Sequence, residues 1–227
     1  MSTAAVDVEL WVWPLDIGAD ERGRLFAYLS DDEVARAERF VFDRDRHRYI
    51  AARGRMREVL ARLLGTTPAE LRFAYSSHGK PSLPVALHFN LSHSEGLAAL
   101  GVSRTHELGV DVEHVRPLKE DIAERFFSRA EVATLRALPE HEQLDAFYRC
   151  WTRKEAVVKA IGEGLSRPLD SFDVTLGAQS ARLLRMDGER DGPSVWQMAH
   201  FAPATGFEGA VACRTGGGAL VVKRRET

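Results

Sequence analysis

Apolar and polar positions alternate through "VDVELWVW" (6–13), which predicts a first strand closed near Pro14. "SDDEVARAERF" (30–40) opens on a serine followed by acids, the start of an N-capped helix. In "DRDRHRYIAARGRMREVLARLLG" (43–65) an apolar stripe runs through Ala52, Met56, Val59, Leu60 and Leu63, and Gly65 stops the helix. Three strand candidates follow: "LRFAYSS" (71–77), "LHFNLSH" (87–93) and "LAALGVS" (97–103). The pattern assigns no element to 15–29.

The remainder repeats this order. "ELGVDVEHV" (107–115) predicts a strand, "IAERFFSRAEVATLRAL" (122–138) one helix, and "LDAFYRCWTRKEAVVKAIG" (144–162) a longer helix stopped by glycine. "FDVTLG", "ARLLRM", "SVWQMAHFA", "GAVACRT" and "ALVVKRR" are further strands. Strand, helix, helix, strands thus occurs twice without a residue-level repeat, so any duplication is structural. The expectation is an α+β chain of two similar halves, 1–104 and 105–227, with a ligand site at the seam.

Composition changes this picture little. The 227 residues are 44% apolar and 28% charged, enough for a real core, and the net charge of −2 does not suggest nucleic acid or a membrane surface. Cys150 and Cys213 fit no zinc or disulfide framework. The start has no basic region followed by an apolar stretch, and no apolar run is long enough to span a bilayer, so a soluble cytoplasmic protein is expected.

Four groupings could carry chemistry. In "ELGVDVEHV" the valines face one side of the strand and Asp111 and Glu113 share the other. Two adjacent acids repel, and they suit either a hard cation such as Mg²⁺ or simple solvation on an outer face. Trp151, Glu155 and Lys159 lie at i, i+4 and i+8 on the long second-half helix. Glu155 could be a third carboxylate and Lys159 a phosphate contact, or the two could be an ordinary surface pair. "HGKPSLP…HFNLSHS" (78–94) joins a turn carrying Lys80 to a strand end with Asn90, Ser92, His93 and Ser94, donors suited to phosphate oxygens. There is no nucleophile elbow, and His88 and His93 fall on opposite strand faces, which argues against zinc. An arginine series from Arg36 to Arg62, with Tyr49, could bind nucleic acid, but interleaved acids favour a solvated face with one or two arginines kept for a phosphate.

In order, "FNLSHSEG", "LGVDVEHVRP", "RFFSRAE" and "FYRCWTRKEAVVKAIGEGLSRPLDSFDV" resemble the Sfp-type (group II) 4′-phosphopantetheinyl transferases. The family pattern, roughly (V/I)G(V/I)D-x-E and then W-(S/T)-x-K-E-(A/S)-x-x-K-x-x-G-x-G, is met at Gly109, Val110, Asp111, Glu113, Trp151, Thr152, Lys154, Glu155, Ala156, Lys159, Gly162 and Gly164. The likeness runs from about residue 30 to 175.

The resemblance implies a monomeric enzyme of two similar α+β halves with a pseudo-twofold relation and coenzyme A between them. It would move the 4′-phosphopantetheine arm onto a serine of an apo acyl or peptidyl carrier protein and release adenosine 3′,5′-bisphosphate. Asp111, Glu113 and Glu155 would hold Mg²⁺, and Glu155 would take the serine proton. His93 and Lys159 would contact phosphate oxygens. Lys80, Ser92 and Arg36 would surround the nucleotide and its 3′-phosphate, with Asn90 and the backbone at 76–79 on the adenine side. Some members have a basic residue where this chain has Glu33, which sets an acid against the expected phosphate; Arg39 or Arg48 would then supply the charge. Phe126, Phe127 and Arg129 are candidates to meet the carrier. Length and halved pattern resemble the broad-specificity type serving polyketide or non-ribosomal peptide synthesis. A non-catalytic coenzyme A-binding module and a metal-dependent phosphohydrolase are the competing readings.

Overall fold

The computed structural model describes residues 4–118, 122–162, 164, 167–188 and 191–226. The first half contains β1 (Val6–Pro14), α1 (Ala19–Phe26), α2 (Asp31–Glu38), α3 (Asp43–Leu64), β2 (Ala74–Tyr75), β3 (Pro81–Ser82), β4 (His88–Ser94) and β5 (Leu97–Ser103). The second contains β6 (Leu108–His114), α4 (Ala123–Phe126), α5 (Arg129–Arg136), α6 (Glu140–Ile161), β7 (Phe172–Val174), β8 (Leu183–Met186), β9 (Trp196–Phe201), β10 (Phe207–Arg214) and β11 (Leu220–Arg225).

The α+β expectation holds, and the two halves wind alike. One sheet is ordered β1-β5-β4 and the other β6-β10-β9, so in each the first strand pairs with the last and the last with the middle one. Each half has one 22-residue helix, α3 or α6, ended by a left-handed glycine, Gly65 at φ 68 or Gly162 at φ 82. Strand β11 runs parallel to β1, from Val6 opposite Leu220 to Trp11 opposite Arg225. Residues 220–225 therefore edge the first half's sheet.

Three of the four apolar clusters among the described residues hold the sheets and long helices together, and the fourth, Leu25, Ala37 and Ile50, seats α1 and α2 on α3. Met56, Val59 and Leu60 of α3 pack on Trp11, Trp13 and Leu100. Ala156 and Val157 of α6 pack with Ala210 and Ala212, next to Phe147, Phe172 and Trp196. Between the sheets, Val8, Leu10 and Ala99 meet Val110, Val112 and Val211, as the alternation in β6 requires. The opposite face of β6 is covered by α6, so Asp111 is also buried, at 2% exposure.

Three expectations change. Residues 122–138 are not one helix: α4 ends at Phe126, and α5 starts afresh behind Ser128, with Phe127 extended. Ser128 and Glu131 form a reciprocal capping box at 2.9 and 3.2 Å, a break already written in "SRAE". Of 71–77 only Ala74–Tyr75 is strand, in a small hairpin with Pro81–Ser82. Residues 15–29 contain α1, whose one buried side chain, Leu25, is too little for an apolar stripe to register.

Candidate active site

The site is built where the edge of one sheet meets the edge of the other. Asn90 Oδ1 accepts the Val110 backbone N–H at 2.8 Å, Ser92 Oγ that of Val112 at 3.4 Å, and Ser94 Oγ that of His114 at 3.2 Å. Alternate side chains of β4 thus replace the backbone ladder that β6 lacks on this side. With their lone pairs engaged by N–H groups, the serines direct their own protons at the acids. Ser92 Oγ donates to Asp111 Oδ1 at 2.8 Å, and Ser94 Oγ to Glu113 Oε2 at 2.6 Å. Ser92 and Ser94 therefore position the two acids. The sequence reading gives neither serine this positioning role: the resemblance sets Ser92 at the nucleotide and Ser94 is read as a phosphate donor, although the polar i, i+2, i+4 spacing of Asn90, Ser92 and Ser94 is the available signal.

Helix α6 completes the cluster. A Cβ on Gly109 would fall on the Ala156 carbonyl oxygen and the Ala160 nitrogen, so a side chain there would push α6 off β6. This close approach places Lys159 Nζ 2.5 Å from Asp111 Oδ1 and 3.0 Å from Ser92 Oγ. Asp111 Oδ2 is buried without a hydrogen-bond partner. Burial, then Asp111, pushes the Glu155 carboxyl above its ordinary range against the pull of Lys159. Glu113 is raised by burial, then by Asp111 and more weakly by Glu155, while Ser94 and Lys159 oppose the shift. Among the described residues no group of three or more His, Cys, Asp or Glu stands gathered as a ready metal cage. The donor chemistry nevertheless fits a hard divalent cation: carboxylate oxygens, one of them an orphan, with a single ammonium near three acids.

A cavity of about 590 Å³ opens beside the cluster, lined by Arg36, Arg48, Tyr49, Asn90, His93 and Glu95 among others. The Arg36 guanidinium lies over the Tyr49 ring, 5.5 Å from its centroid, and has no carboxylate partner among the described residues. His93 has its imidazole pKa lowered by burial, then by Lys159 and Arg36, which outweigh Asp111. Arg48 is held by both Asp16 oxygens at 2.8 Å and by Glu95 at 3.3 Å. Lys80 lies elsewhere. Its Nζ pairs with Glu107 at 2.7 Å and donates to the Ala160 carbonyl at 3.1 Å, lining an adjoining cavity of about 490 Å³ with Ser76 and His88. Pro81 borders both cavities. A third cavity, of about 420 Å³, is lined by Glu113, Arg116, Trp151 and apolar neighbours.

Other expected residues have structural work. Glu33 is 1% exposed and does not face a phosphate. It caps the Ser30 N–H at 3.1 Å and pairs with Arg53 at 2.5 Å and Arg57 at 2.6 Å. Two members of the arginine series thus point inward, and Arg55 is matched to Glu21 and Glu58. Phe127 is 4% exposed and stacked on Phe147, so it belongs to the core; Phe126 is half-buried edge-on to Trp151, and Arg129 is exposed. Lys154 is fully buried, pairing with Glu131 and donating to the Leu169 and Phe172 carbonyls at 2.7 and 2.6 Å.

Comparison with known proteins agrees with this geometry. Residues 107–213 match the family described as the 4′-phosphopantetheinyl transferase superfamily, and residues 19–105 match the family 4′-phosphopantetheinyl transferase, N-terminal. The chain is 42% identical to the 4′-phosphopantetheinyl transferase HetI of Nostoc sp., over 75% of this chain and 74% of that protein. It is 37% identical to ffp of Bacillus subtilis and 35% identical to Sfp of Bacillus subtilis strain 168, each over 70% of this chain and 72% of the relative. Fold, seam and likeness agree: the chain belongs to the 4′-phosphopantetheinyl transferase superfamily and is an enzyme of that class.

Proposed function

We propose that this enzyme transfers the 4′-phosphopantetheine arm of coenzyme A to a serine of an apo acyl or peptidyl carrier protein, with adenosine 3′,5′-bisphosphate as the second product. The reading rests on one observation: Asp111, Glu113, Glu155 and Lys159 converge at the seam, beside a cavity bearing Arg36 and His93. Asp111, Glu113 and Glu155 would hold Mg²⁺, which when bound neutralises the pyrophosphate and screens the charge of the leaving group.

The protein groups divide the remaining work. Glu155, inclined toward the protonated form by burial and by Asp111, takes the carrier serine proton. The serine oxygen bonds to the β-phosphorus, the bond from that phosphorus to the bridging oxygen breaks, and the electron pair departs on the bisphosphate. Lys159 and His93 hold phosphate oxygens, and Arg36 takes the 3′-phosphate. Asn90 lines the nucleotide cavity, Ser92 fixes Asp111, and Lys80 reaches the nucleotide on leaving Glu107. The carrier meets the third cavity, lined by Glu113 and Trp151, with Phe126 edge-on to Trp151 and Arg129 exposed at the start of α5.

No helix among the described residues is long and apolar enough to cross a membrane. We place the enzyme in the cytoplasm as a monomer that serves polyketide or non-ribosomal peptide carriers and binds neither nucleic acid nor membrane. Chromatography of coenzyme A incubated with the protein tests the reading. Bisphosphate appears only when an apo carrier is present; release without a carrier would identify a phosphohydrolase instead.

A further inference from the structure

The acid cluster is unevenly neutralised. Lys159 donates to Asp111 Oδ1 at 2.5 Å and to Ser92 Oγ at 3.0 Å, while Asp111 Oδ2 is left without a partner. Among the described residues Glu113 has only the Ser94 hydroxyl on its carboxylate, and Glu155 has no hydrogen bond or ion pair. One ammonium therefore serves three acids, and it bonds to the most buried of them. The Lys159 side chain is 28% exposed, against 3% for that of Asp111, so its head can leave toward the cavity without disturbing the strand beneath.

We propose that Lys159 is the internal counter-ion of the cluster: it holds Asp111 in the ligand-free protein, competes there with the divalent cation, and yields Asp111 as it passes to a phosphate of the incoming nucleotide. The argument rests on the metal reading given above. An oxygen that accepts an ammonium proton at 2.5 Å cannot also ligate a divalent ion without setting two cations side by side in a partly buried site. Even on the orphan Oδ2 a divalent ion would lie across the same carboxylate from the ammonium, so metal weakens the hold of Lys159 on Asp111 and Lys159 opposes the metal. A phosphate that draws the ammonium away removes the competitor, so nucleotide and metal assist each other through this residue. Because the coupling is reciprocal, the same factor must appear in both affinities.

Lys159→Met keeps most of the unbranched stem and removes the charge; Lys159→Arg keeps the charge. Mn²⁺ binding is followed by electron paramagnetic resonance with and without coenzyme A, with thermal melting as the check on folding. In the absence of coenzyme A, Lys159→Met should bind Mn²⁺ roughly tenfold more tightly than wild type, as removal of a nearby cation requires, while Lys159→Arg stays close to wild type. Coenzyme A should bind Lys159→Met more weakly and should enhance its Mn²⁺ affinity by a smaller factor than in wild type. If Lys159→Met binds Mn²⁺ no better than wild type, the counter-ion role is wrong although the metal site stands. If neither protein binds Mn²⁺ even with coenzyme A, and Asp111→Asn changes nothing, the metal reading has failed and the proposal with it.

Discussion

Ser94 Oγ donates to Glu113 Oε2 at 2.6 Å while accepting the His114 backbone N–H at 3.2 Å. One hydroxyl thus ties the first half's edge strand to the second half and aims an acid of the site. Ser94→Ala leaves an N–H and a carboxylate oxygen unmatched in a partly buried place, a loss of about 1–3 kcal/mol. Denaturant titration reads that loss. The more specific expectation is a several-fold higher Mg²⁺ concentration for half-maximal rate, with the rate at saturating Mg²⁺ little changed and Ser94→Thr closer to wild type. An unchanged Mg²⁺ dependence would leave Ser94 a seam residue only.

Glu33 is a keystone between two inward arginines. Glu33→Lys, which brings in the basic residue of some relatives, places a third cation beside Arg53 and Arg57. It should destabilise the fold by about 3–5 kcal/mol and give no tighter coenzyme A binding. Urea unfolding and calorimetric titration with coenzyme A check the two parts. A stable variant with improved affinity would show that this helix turn faces the ligand.

His93 should titrate below the ordinary histidine value of 6.5 in the free protein. The sign follows from linkage. As pH falls from 6.5 toward the lowered folded value, the unfolded chain takes up a proton that the folded one refuses, so this group's contribution to stability declines and is fully lost below that value. A bound phosphate favours the imidazolium and should raise the midpoint. Following the His93 ring by NMR with and without coenzyme A reads both. A midpoint that coenzyme A leaves in place would remove His93 from the phosphate contacts.

Gly109 lets α6 lie on β6. Gly109→Ala forces the Ala156–Ala160 backbone away, at about 1–3 kcal/mol or more, and carries Glu155 and Lys159 from Asp111. Activity should fall much further than the melting temperature. A variant that retains wild-type turnover would mean that the close helix–strand contact is not what builds the site.

Much of this was legible in the chain. The alternation in β6 located its buried valines and its acids, and the i, i+4 spacing of Glu155 and Lys159 put both on one helix stripe, while their meeting with Asp111 was implied only by the family resemblance. What stayed hidden depends on tertiary partners. Glu33 reads as a surface acid of a capped turn until Arg53 and Arg57 arrive from another helix. Lys80 reads as a free cation until Glu107 and the end of α6 take it. Phe126 and Phe127 are adjacent letters, and only the capping box at Ser128 sends one to the core and leaves the other at its edge. The pairing of β11 with β1 joins strands more than 200 residues apart, which no local pattern announces.

The most direct test of the central claim is the intact mass of an apo carrier protein after incubation with this enzyme, coenzyme A and Mg²⁺, beside a sample containing EDTA. The expected result is a gain of one phosphopantetheine on the carrier, absent with EDTA and absent for Asp111→Asn. A carrier left unmodified across acyl and peptidyl types, or modified equally well in EDTA, would contradict the account.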